Sequence, residues 1–141
     1  MVYGMNSVSG RTYGQILVIY RRNDIALAID ITRKIAQISG FSEHESILLQ
    51  LVTEEACTNA FEHGSSSDIC RFRISWLVES DIMEIKVCQN GPSFELHNGE
   101  VFPVGLHGRG LMLIHGIMDD VRLISEGAYV TLYMCKKRRV T

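Results

Sequence analysis

Two short stretches carry the residue types that could do chemistry. In "TEEACTNAFEHG", Thr53 to Gly64, a carboxylate (Glu55), an amide (Asn59) and an imidazole (His63) recur at four-residue intervals. That spacing lines all three along one face of a helix, where together they could hold a metal ion and a phosphate ester. A solvated polar face without a ligand is the other reading this helix alone permits. In "GLHGRGLMLIHGIMDDV", Gly105 to Val121, Gly108 and Gly110 bracket Arg109 at the point where a helical apolar pattern begins. Bare backbone amides and the positive end of a helix dipole form an anion site there, although a lone glycine-rich turn is equally explained by loop flexibility.

The surrounding elements must bring these stretches together. Residues 1–14 are rich in Gly and Ser and read as a loose lead-in. "QILVIY", Gln15 to Tyr20, is a β-branched run suited to a strand. Asp24 can cap a helix whose apolar positions Ala28, Ile31, Ile35 and Ile38 are spaced by three and four, with Gly40 as its stop. Ser42 and Glu45 have the form of a capping box, and Leu48, Val52 and Ala56 carry a second helix to about His63. Cys70, Phe72, Ile74, Trp76 and Val78 then alternate with polar residues, and Met83, Ile85 and Val87 do so again after Ser80 and Asp81, which predicts a hairpin.

The run from Asn90 to Gly110 has five glycines, two prolines and little period, the character of a lid or binding loop over about 90–109. A helix from about Gly110 to Met118 and the strands "VRLIS" and "AYVTLYMC", turning at Glu126 and Gly127, complete the chain. Helices beside consecutive hairpins predict an α+β fold. Its form is a two-layer sandwich, a mainly antiparallel (mixed) sheet covered on one face by helices.

Composition sets the outer limits. The 141 residues are 46% hydrophobic and 21% charged, enough for one domain, over 15–135. A net charge of -2 gives no global pull toward nucleic acid or a membrane surface, and Lys136 to Arg139 read as a basic, solvated tail within 136–141. No apolar run approaches the roughly 20 residues that cross a bilayer, and no signal peptide is apparent, so a cytoplasmic location is expected. Cys57, Cys70, Cys88 and Cys135 form no CxxC pair and read as small core hydrophobes. His44, His97, His107 and His115 share no ligand spacing.

In this order, with a hairpin between them, the two stretches are far more specific than either alone. The chain resembles the ATP-binding fold shared by histidine kinases, gyrase-type ATPases and Hsp90-type chaperones (the Bergerat fold). It resembles most closely that fold's small single-domain branch, the bacterial anti-sigma-factor serine kinases, from Gln15 to Met134. "EACTNAFEHG" is similar to the family's Asn-containing helix, and "GRGLMLIHGIMDDV" to its second glycine box. The resemblance implies that Glu55 is the general base, that Asn59 ligates the Mg2+ bridging the phosphates of ATP, and that His63 lies nearby. It further implies that Gly105, Gly108, Arg109, Gly110 and Leu111 hold the phosphate tail. The implied partners are a sigma factor and an anti-anti-sigma (STAS-type) protein, and such proteins commonly dimerise.

The first glycine box departs from the family. Gln89 stands where the family has the Asp that reads the adenine amino group, Gly91 is kept, and Ser93 replaces the second Gly. Gly127 and Ala128 stand where the family has a Gly-Thr pair that supports that Asp. A hydrogen bond to a charged group is worth about 1.5 to 3 kcal/mol, so this exchange predicts nucleotide binding weaker by roughly tenfold to a hundredfold. Two readings follow: a serine kinase working by partner switching, supported by Glu55 and Asn59, and a non-catalytic binding module of the same fold, supported by Gln89 and Ala128. The ATP-binding part of a sensor histidine kinase is not expected at this length.

Overall fold

Helix stops and starts set the frame. In the computed structural model, which describes residues 2–6, 12–63, 72–90, 94–97, 100–103 and 109–139, strands β1 (Val2–Asn6) and β2 (Thr12–Ile19) lead into helix α1 (Asn23–Ile38). Asp24 sits in the first turn of α1, and its carboxylate accepts hydrogen bonds from the Tyr20 and Arg21 amides at 2.9 and 3.0 Å. The helix closes at Gly40, whose φ of +85° only glycine adopts cheaply. There the Phe41 amide reaches back to Ala36 O and the Gly40 amide to Gln37 O, the paired bonds of a Schellman stop.

Helix α2 (Glu43–His63) begins with the capping box expected of Ser42 and Glu45. The Glu45 amide donates to Ser42 Oγ at 3.0 Å and the Ser42 amide to Glu45 Oε1 at 3.1 Å. Strands β3 (Phe72–Glu79) and β4 (Ile82–Asn90) form the predicted hairpin around Ser80 and Asp81. A small antiparallel ribbon, β5 (Phe94–His97) with β6 (Glu100–Pro103), lies within the stretch expected to be irregular. Helix α3 (Arg109–Ile117), β7 (Asp120–Glu126) and β8 (Tyr129–Lys137) follow.

Among the described residues the main sheet has six strands in the order β1-β2-β3-β4-β8-β7, and every pairing in it is antiparallel. The alternation read from the sequence decides its faces. Leu17, Ile19, Phe72, Ile74, Trp76, Val78, Met83, Ile85, Val87, Leu132 and Met134 point into one core with Ile31, Ile35, Leu49, Val52 and Ala56 of the helices. Trp76 Nε1 donates to Thr32 Oγ1 at 2.9 Å, and Thr32 and Thr53 share a hydroxyl contact of 2.7 Å, so buried polar bonds tie β3, α1 and α2 at one depth. Among the described residues, no helix is long and apolar enough to cross a membrane.

Three expectations change. Part of the lead-in pairs into the sheet: β1 lies on β2, and β2 itself starts at Thr12. Ladder hydrogen bonding to an open strand edge recruits such a segment without any side-chain period. The basic run is no solvated tail at its start, because β8 extends to Lys137 and Lys136 is only 3% exposed. The Lys136 ammonium donates to Ile117 O at 3.2 Å, at the carbonyl end of α3. Of the described cysteines only Cys57 is a core residue; Cys88 and Cys135 are half-buried on the opposite sheet face, and all three are free thiols.

Glu45 couples this end of the chain to α2. Besides Ser42, it accepts the Arg139 amide on Oε2 at 3.1 Å. Burial pushes its carboxyl pKa up, but the Ser42 and Arg139 amides, the Ser42 hydroxyl and the Lys136 charge together hold it below its ordinary value of 4.5. A carboxyl lowered in the folded state takes its proton first in the unfolded chain, so its stabilising contribution is complete above the ordinary value and is lost as pH falls through the lowered one. Glu45→Gln is expected to cost about 1 to 3 kcal/mol at pH 7 by losing charged hydrogen bonds. Urea melts between pH 7 and pH 3 check this: the variant and the parent should converge at the acid end.

Candidate functional site

The second helix supplies the polar face foreseen in the sequence. Glu55 and Asn59 are both half-buried on α2, one turn apart, and Asn59 Nδ2 donates to Glu55 Oε1 at 3.4 Å. Their depth follows from Thr53, two residues earlier, whose hydroxyl is anchored to Thr32 and to Leu49 O. Spending Nδ2 on Glu55 leaves Asn59 Oδ1 as the atom that a hard cation would take. His63 is the last residue of α2.

The tertiary fold adds a neighbour to this pair. Gly110, in the first turn of α3, is buried against α2. A Cβ placed on it would fall 2.8 Å from Asn59 Nδ2 and closer still to Glu55 Oε1. The glycine therefore does more than bare its amide. It lets the α3 N-terminus, with its free N–H groups and partial positive charge, approach the acid–amide pair. Of the other residues expected to hold a phosphate tail, Arg109 opens α3 and Leu111 is half-buried beside Gly110. Gly91, Gly105 and Gly108 lie outside the described residues, as do Ser93 and His107.

Gln89 lies at the far end of β4, paired with Phe72 on one side and Val130 on the other. It is 7% exposed, and among the described residues its buried Oε1 has no hydrogen-bond partner. An unmatched buried acceptor costs about 1 to 3 kcal/mol, a penalty that a ligand N–H would relieve. Its companion from the sequence reading, Ala128, is exposed in the β7–β8 turn. Among the described residues, no group of three His, Cys, Asp or Glu side chains could hold a metal by itself.

Over residues 21–136 the chain matches the histidine kinase-like ATPase domain, and it belongs to that family. Serine-protein kinase RsbW of Listeria monocytogenes serotype 4a is 32% identical over 113 residues, covering 70% of this chain and 71% of that protein. RsbW of Bacillus cereus strain AH187 is 28% identical over 109 residues, covering 70% and 68%. These similarities put the chain in the anti-sigma-factor kinase branch of the family. A structure of the RsbU and RsbW domains of a Mycobacterium tuberculosis protein contains the same fold in part, with a TM-score of 0.67 over 89% of this chain at 14% identity; the match spans 32% of that chain.

Two substitutions test the geometry. Gly110→Ala forces the Glu55 and Asn59 side chains aside while leaving the core intact, so it is expected to weaken Mg-nucleotide binding at least about tenfold with a thermal midpoint near that of the parent. Gln89→Asp is expected to tighten adenine nucleotide binding by roughly tenfold to a hundredfold, through a charged hydrogen bond. Titration calorimetry reads both, and unchanged affinity for the second would mean that Gln89 does not meet a nucleotide base.

Proposed function

We propose that this protein is an anti-sigma-factor-type serine kinase. It binds Mg-ATP, sequesters a sigma factor or similar target in the cytoplasm, and phosphorylates a serine on an anti-anti-sigma partner of STAS type. The observation that carries this reading is the close approach of Gly110 to Glu55 and Asn59, which joins a carboxylate, a metal-binding amide and an anion-attracting helix end. In-line phosphoryl transfer needs these groups more than it needs a covalent intermediate.

The residues present fit the nucleotide and its metal, since the Gly110 cradle leaves no room for a side chain and the buried Gln89 Oε1 lacks a donor. Glu55 orients and deprotonates the attacking serine hydroxyl. Asn59 Oδ1 would hold the cation, the first-turn amides of α3 would hold phosphate oxygens, and Gln89 would meet the base. Bound Mg2+ would neutralise charge between the phosphates.

A second reading is a non-catalytic partner-switching module with weakened nucleotide binding. Gln89 and Ala128 favour it, because both members of the family's base-reading pair are changed. Calorimetric titration with ADP and ATP plus Mg, followed by labelled-phosphate transfer to a STAS-type partner, separates the two. Under the kinase reading, ATP binds and the label moves to serine. Glu55→Ala should abolish transfer while retaining ATP, and Asn59→Ala should lose the Mg-dependent part of binding. No binding at millimolar nucleotide would sink the kinase reading.

A further inference from the structure

Three irregularities meet at one corner, at the opposite end of the sheet from Gln89. Ser80 is the only described non-glycine residue with positive φ, at +57°, in the β3–β4 turn. Such a backbone is sparsely populated and persists where its surroundings hold it. Among the described residues, Arg138 Nε is one of two buried side-chain atoms that lack a hydrogen-bond partner, the other being Gln89 Oε1. A cavity of about 550 Å³ opens between these residues, the start of β2 and the end of α1. Gln89 lies seven residues along β4 from Ile82, so the corner is about 24 Å from the base end of the candidate site at 3.4 Å per residue.

The lining has a definite chemistry. Arg138 leaves β8 with its amide bound to Asp81 O at 2.6 Å, and its guanidinium end lies against the Gly40 corner. Among the described residues it has no acidic partner within ion-pair distance. Asp81 faces the same cavity, and its only described cation is Lys137 Nζ at the outer limit of 4.0 Å. Ser39 and Ser80 add hydroxyls, while Ile38 and Val78 give an apolar wall. Ile38 is 82% exposed, at the end of a helix whose Ile31 and Ile35 are buried in the core. The volume falls within the range of small-molecule sites.

We propose that this corner binds a free α-amino acid with an apolar side chain, at a site separate from the nucleotide. The Arg138 guanidinium takes the carboxylate, Asp81 takes the ammonium, and Ile38 and Val78 take the side chain. Opposite charges lining one cavity favour a zwitterion over a simple anion, which Asp81 repels. A peptide terminus supplies only one of the two charges, so the free amino acid is the occupant that answers both. The site joins the end of α1, the β3–β4 turn and the end of β8, and the far ends of β3 and β8 pair with Gln89 and Asn90.

The test is an NMR titration of the full chain with L-leucine, L-methionine and L-glutamate at millimolar concentration. Isovalerate, isoamylamine and inorganic phosphate serve as arms that carry one charge sign only. Leucine or methionine is expected to shift the Ser39, Ser80, Asp81 and Arg138 amides saturably. Arg138→Gln and Asp81→Asn should each weaken binding by about tenfold or more, the size of a charged hydrogen bond. Arg138→Gln should leave ATP affinity unchanged. Should that variant not fold, Ser39→Phe, which fills the cavity from its rim, must abolish the shifts instead. Absence of a saturable shift with every amino acid overturns the proposal. So does equal binding of isovalerate or phosphate, which would make the corner a simple anion site.

Discussion

The distance between two helices at one residue governs which groups meet at the candidate site. Helix α3 meets α2 at Gly110, and the missing side chain there brings the α3 amides to Glu55 and Asn59. Any larger residue would have to displace the carboxylate or the amide. The approach in turn requires α2 to sit at a defined depth, which the Thr32, Thr53 and Trp76 hydroxyl and indole contacts provide by joining both long helices to the centre of the sheet. Removing one partner of such a buried network leaves the others unsatisfied, so the network holds position as well as adding stability.

The second end of α3 is held as firmly. Lys136, buried in the last strand, donates to Ile117 O, and the adjacent Asp119 amide bonds Cys135 O at 2.8 Å. Glu45 closes the circuit from the start of α2 to Arg139. Helix α3, which carries the proposed anion site, is thus fixed against α2 at its N-terminus and against β8 at its C-terminus. Phosphoryl transfer relies on positioning, and a short helix with both ends tied to the main sheet suits that demand.

Most of the architecture was legible from side-chain period. Strict alternation from Phe72 to Val87 located a hairpin and its buried face, because a strand turns successive side chains to opposite sides. The Ser42 and Glu45 capping box and the Gly40 stop were readable because they are made by residues close in sequence. β1 and the β5–β6 ribbon were not, because ladder hydrogen bonds between neighbouring segments need no side-chain alternation, and the burial of Lys136 was not, because it depends on the end of another element, α3.

The same division runs through the candidate site. Sequence alone determined the chemical inventory: Glu55 and Asn59 on one helical face, glycines at a helix start, and an amide at Gln89 where the family carries an acid. Helical periodicity and residue type are local properties and need no fold to be read. Only the tertiary structure decided that Gly110 packs on Glu55 and Asn59, that Gln89 is buried with an unmatched oxygen, and that Arg138 and Asp81 line one cavity. Those are distances between segments dozens of residues apart, set by how strands pair and helices stack, and no spacing along the chain encodes them.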